Sequence, residues 1–83
     1  MNLDELRAEI DLIDRELLQL INRRAEVAKQ IGSWKRERDL PIYVPEREEA
    51  LLSKLFELNP GPLGNGAVEG VFRKLIESCR HLE

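Results

Sequence analysis

Apolar side chains recur at Leu3, Leu6, Ile10, Ile13, Leu17, Leu20, Val27, Ile31 and Trp34. The intervals alternate between three and four over more than four heptads, with one member missing at position 24. That spacing is a heptad seam along one face of a helix. Asn2 and Glu5 form an N-x-x-E start, a variant of the capping box. No proline precedes Pro41. The one internal glycine, Gly32, costs about 1 kcal/mol relative to alanine, which marks it as a candidate point of close packing. The pattern predicts one helix over about 3–38, ~50 Å long at ~1.5 Å per residue.

Asp39-Leu40-Pro41-Ile42-Tyr43-Val44 reads as a short connector, extended before Pro41. Pro45 suits the first position of a second helix, and Glu46, Glu48 and Glu49 complement its N-terminal dipole. This helix is expected to run to about Leu58, with Leu51, Leu52, Leu55 and Phe56 as its apolar face. The stretch from Asn59 to Gly66 is rich in turn residues. A third helix is expected from about Asn65 to the end, burying Val68, Val71, Phe72, Leu75, Ile76 and Cys79. The fold class is therefore all-α, with three helices and a long first one. The 45 residues after the first helix cannot cover its seam, which calls for a second copy across a two-fold axis.

The 83 residues allow one domain, taken as 1–83, with a modest core. The net charge of −3 and only four aromatic residues argue against nucleic acid and anionic membranes, so any anion site must be local. A single cysteine rules out an internal disulfide and fits a reducing, cytoplasmic setting. One histidine and one cysteine do not make an ordinary zinc site, so no metal is expected. The acidic start lacks an apolar signal-peptide core, and no apolar run approaches the ~20 residues that span a bilayer.

Arg24 breaks the seam. One reading is a snorkelling arginine, or a polar residue that sets helix register. The other is a cation kept for a ligand carboxylate, because a guanidinium on an apolar face needs a partner. Lys35 lies three turns later on nearly the same face, ~16 Å away along the axis. Arg7 lies ~42 Å from Lys35 along the helix, so it reaches that region only from an antiparallel second chain. Taken singly, Arg7 and Lys35 read as solvated charges. Arg47 and Glu48 read as a first-turn charge cluster, or as a hydroxyl acceptor with a neighbouring positive field. Cys79 and Glu83 share a face, the first as a small buried hydrophobe and the second as a terminal charge. No nucleophile–base pair and no phosphate loop is present.

The run Leu6-Arg7-x-x-Ile10-Asp11-x-Ile13-Asp14-x-x-Leu17-Leu18-x-Leu20-Ile21-x-x-Arg24, followed by Ala28, Ile31, Gly32 and Lys35, resembles the first helix of the all-helical chorismate mutases. Pro41-Ile42-Tyr43-Val44-Pro45-Glu46-Arg47-Glu48 resembles that family's connector and second-helix start. Phe72-Arg73-Lys74-Leu75-Ile76-Glu77-Ser78-Cys79 with Leu82-Glu83 is similar to its third helix. The resemblance covers essentially the whole chain. Related domains occur fused to prephenate dehydratase.

The resemblance implies an intertwined homodimer that rearranges chorismate to prephenate for phenylalanine and tyrosine synthesis, without a cofactor. It implies that Arg24 and the Arg7 of a second chain bind substrate carboxylates. Lys35 would contact a carboxylate and the ether oxygen, Arg47 would add positive field, and Glu48 would hold the ring hydroxyl. Val44 stands where many members carry aspartate, and Cys79 where serine is common. Glu83 occupies the place of a second ether-oxygen donor, often glutamine. A carboxyl donates only when protonated, so the implied activity falls as pH rises through the Glu83 titration. An isochorismate–pyruvate lyase on the same fold, and a non-catalytic dimerisation module, are the alternatives.

Overall fold

The computed structural model describes all 83 residues as three helices and no strands, as the periodicity predicts. Helix α1 spans Leu3–Glu37, α2 spans Pro45–Leu58 and α3 spans Asn65–Arg80. Asn2 caps α1: its Oδ1 accepts the Glu5 backbone N–H at 2.8 Å, and its amide reaches back to the Glu5 carboxylate at 3.4 Å. Asn2 is thus the N-cap, and the predicted capping box is half formed: the Glu5 carboxylate meets the Asn2 side-chain amide in place of its backbone N–H.

The C-terminus of α1 closes as a Schellman motif. Leu40 N–H donates to Lys35 C=O at 2.9 Å and Asp39 N–H to Arg36 C=O at 3.4 Å, with Asp39 at φ 54°. Glycine usually takes this left-handed position. Aspartate is one of the few other residues that tolerate it, and with Pro41 just beyond, the helix ends within one residue of the expected position.

Pro45 sits in the first turn of α2, and the Val44 C=O accepts from both Arg47 and Glu48 N–H. Asn59 organises the next turn: its side chain donates to Leu63 C=O and Asn65 Oδ1, both at 2.8 Å, and accepts from Gly61 N–H at 3.1 Å. Gly61 has φ 75°, a conformation that suits a residue without a β-carbon. Contrary to the expected run to the end, α3 stops at Arg80. The last residues form a tighter turn, with Leu82 N–H bonded to Cys79 C=O and Glu83 N–H to Arg80 C=O. Three-residue bonds of this kind commonly tighten a final helical turn.

Helix α3 packs against both α1 and α2. The small core is Ala28, Leu52, Ile76 and Cys79, with Gly32 beside them. Arg73 ties α3 to α2 at the surface. Hydrogen bonds to Glu69 and then to Glu49 hold its guanidinium above the ordinary arginine pKa. Leu51, Leu55 and Phe56 are half-buried, as expected of the α2 face. Val71 corrects the expected α3 stripe: it is 54% exposed. It faces a hollow of about 530 Å³ between α1 and α3, which Leu17, Leu20, Ile21, Arg24, Phe72 and Leu75 also line.

The molecule measures 55 × 24 × 16 Å, and α1 runs along the long dimension. Its N-terminal half extends past the other helices. Leu6, Ile10, Ile13 and Leu17 remain 45–56% exposed within one chain. A fully buried Leu or Ile is worth about 1.5–3 kcal/mol, so this face forgoes a substantial part of its burial energy. No helix is long and apolar enough to cross a membrane.

Candidate active site

A cavity of about 540 Å³ opens where the C-terminal half of α1, the connector, the start of α2 and the end of α3 meet. It gathers seven of the eight residues singled out in the sequence: Arg24, Lys35, Val44, Arg47, Glu48, Cys79 and Glu83. Arg7 is the exception. It is exposed on the projecting half of α1, ~26 Å along the axis from Arg24. Between the charged groups the walls are apolar, from Val27, Ala28, Ile31, Ile42, Leu51 and Ile76.

Lys35 is held from several directions. Its backbone C=O closes the Schellman motif, and its Nζ donates to Ile42 C=O at 3.0 Å. Glu83 Oε1 lies 3.9 Å from the same Nζ, and both side chains are largely withdrawn from solvent. The ammonium is thereby fixed over the connector, leaning into the cavity rather than into water.

Glu83 reaches Lys35 because Gly32 has no side chain. A β-carbon built on Gly32 would lie 2.6 Å from Glu83 Cα, 2.8 Å from its carbonyl oxygen and 2.9 Å from its Cβ. Only glycine lets the turn after α3 lie directly on α1. The helix-propensity cost noted in the sequence thus brings the last residue of the chain into the site.

Sequence reasoning missed Arg80 and Tyr43. Arg80 Nε is 3.2 Å from Glu48 Oε2, and its guanidinium carbon lies 4.3 Å from the centre of the Tyr43 ring. A basic residue in the last turn of a helix reads as a dipole complement, which hid it. The available signal was its place one residue after buried Cys79 and one turn after buried Ile76, where a charge on a half-buried flank needs a partner.

Four cations and two carboxylates line the cavity, a local excess of positive charge in a chain of net charge −3. Arg24 and Arg47 join no ion pair within the chain and are free for a ligand. Low-dielectric walls strengthen such charges, so the arrangement suits a small dianion carrying a hydroxyl group.

Comparison with known proteins gives a consistent picture. The family described as chorismate mutase type II matches residues 6–83. A bifunctional chorismate mutase/prephenate dehydratase of Aquifex aeolicus is 45% identical over 98% of this chain, which spans only 24% of that longer protein. The chain likewise spans about a quarter of the other bifunctional relatives it matches. A chorismate mutase structure from Thermus thermophilus superposes with a TM-score of 0.90 at 34% identity, covering 92% of this chain and 86% of that one. One from Helicobacter pylori, solved with prephenate, gives a TM-score of 0.88 at 35% identity, covering 96% of this chain and 87% of that one.

Proposed function

Because the chain belongs to the chorismate mutase type II family, we propose that its cavity converts chorismate to prephenate in the synthesis of phenylalanine and tyrosine. The observation that carries this reading is the convergence of Arg24, Lys35, Arg47, Glu48 and Glu83 on one apolar-walled cavity. The prephenate-bound Helicobacter pylori structure supports it. Residues 1–83 form the mutase domain, whether free-standing or joined to further domains.

The reaction is an intramolecular Claisen rearrangement. The ether C–O bond breaks as a C–C bond forms between the enolpyruvyl side chain and the ring. No proton is added or removed overall, so no acid, base or nucleophile is required. The site has to hold the flexible side chain over the ring in a reactive geometry, which converts conformational entropy into rate. Arg24 grips one carboxylate bidentately, and Arg47 adds positive field. Glu48 accepts the ring hydroxyl. Val44, without a side-chain donor or acceptor, offers its backbone and shape to the substrate, and Cys79 packs against it.

Negative charge develops on the ether oxygen as the C–O bond lengthens. Lys35 Nζ, already oriented by Ile42, stabilises that charge in the transition state more than in the ground state. Glu83, with Oε1 3.9 Å from the same Nζ, supplies a second donor there when its carboxyl carries a proton.

A second copy of the chain completes the site. The exposed seam of α1 matches its own image in an intertwined homodimer. There the partner's Arg7 reaches the second carboxylate, a span its own chain cannot make. The deciding experiment follows chorismate loss by the purified chain and identifies the product. Prephenate supports the reading, salicylate with pyruvate assigns the lyase instead, and no turnover by a folded dimer refutes both.

A further inference from the structure

We propose that Arg80 is a positioning residue: a dedicated counter-ion for Glu48 that keeps this carboxylate aimed into the cavity while leaving its lone pairs free for the substrate hydroxyl. The proposal rests on the reading of the cavity as a chorismate site.

Three observations carry it. Arg80 ends α3 and Glu48 lies in the first turn of α2, so the pair spans two helices at the cavity wall. Their side chains are only 26% and 20% exposed, so the charges are weakly screened. At 3.2 Å the Nε is close to Oε2, yet this buried N–H makes no well-aligned hydrogen bond. The contact is therefore chiefly ionic, and the carboxylate keeps its directional acceptor capacity.

Tyr43 supports the guanidinium from the other side at 4.3 Å, a cation–π contact that fixes its plane. The other charged groups around Glu48 are committed or separately available. On α1, Lys35 is bound to Ile42 and lies beside Glu83, whereas Arg24 is unpaired. On α2, Arg47 is exposed, and on α3 the remaining titratable neighbour is Cys79. Without Arg80, Glu48 would draw on Arg24 or Arg47, the cations the substrate carboxylates need.

The test compares Arg80→Met and Arg80→Lys in the native chain and in Glu48→Gln. A lost contact to a hydroxyl held equally in ground and transition states raises KM more than it lowers kcat. Arg80→Met should raise KM about tenfold with kcat within about threefold, and Arg80→Lys should recover most of the loss. In the Glu48→Gln background, Arg80→Met should change kcat/KM less than about twofold. An unchanged KM, an equal loss in both backgrounds, or no recovery by lysine overturns the proposal. Thermal unfolding of the same proteins reads the coupling without turnover. Less-than-additive effects of Arg80→Met and Glu48→Gln support the pair, and additive effects overturn it. Absence of turnover by the native chain would instead sink the assigned reaction, and the unfolding cycle would still decide the pairing.

Discussion

The backbone of Glu83 lies directly on Gly32: a β-carbon at position 32 would come within 2.6 Å of Glu83 Cα. A glycine near the C-terminal end of α1 thus sets the place of a carboxyl group in the turn that follows α3.

Gly32→Ala should separate stability from activity. Alanine gains about 1 kcal/mol of helix propensity, but its β-carbon would meet the Glu83 backbone at 2.6 Å, so the turn after α3 must shift, which offsets that gain. The expected result is a melting temperature that changes little, with kcat down by ~10–100-fold because a donor has moved by about an ångström. Circular dichroism melting alongside steady-state kinetics measures both.

Glu83→Gln keeps a donor-bearing side chain beside Lys35 and should retain turnover, whereas Glu83→Leu, which has none, should lose ~10–100-fold in kcat. Steady-state kinetics measures both, and native kcat in the leucine variant would refute the role given to Glu83.

Subunit mixing tests the assignment of Arg7. Arg7→Ala and Arg24→Ala should each lose at least ~100-fold in kcat/KM. Refolded together in equal amounts, they should regain about one quarter of native activity, since half the dimers are mixed and one of two sites in each is intact. If Arg7 served its own chain, mixing would restore nothing.

Arg24→Leu fills the gap in the seam. An apolar residue there removes the cost of holding a guanidinium on a buried face. The variant should be at least as resistant to urea as the native protein, and turnover should be lost. Unchanged turnover would return Arg24 to the role of a register residue.

Asp39→Gly should stabilise the chain by about 0.5–1 kcal/mol, because φ 54° is strained for any residue with a side chain. Denaturant titration measures it, and kcat/KM should not change, since Asp39 lies outside the cavity.

Helix starts were legible because Asn2 and Pro45 act through neighbours a few residues away. The α1 stop was legible from Pro41 to within one residue, whereas the left-handed Asp39 that closes the helix is a conformation that spacing does not reveal. Arg24 and Lys35 could be placed on one face from helical geometry alone, and the cavity joins them. The packing of Glu83 on Gly32 and the pairing of Arg80 with Glu48 depend on how α3 lies across α1 and α2. That arrangement is set by tertiary packing, and no local pattern in the sequence encodes it. The family resemblance supplied Glu83, whereas Arg80 emerged only from the assembled site.

Arg24 lines both the charged cavity and the apolar hollow continuous with the seam. Subunit association and substrate capture in the proposed dimer therefore act on one side chain, and mass action links them. Dilution should lower specific activity, and a saturating dicarboxylate should shift the monomer–dimer balance back toward the dimer. Cellular abundance would then set catalytic output more steeply than in simple proportion.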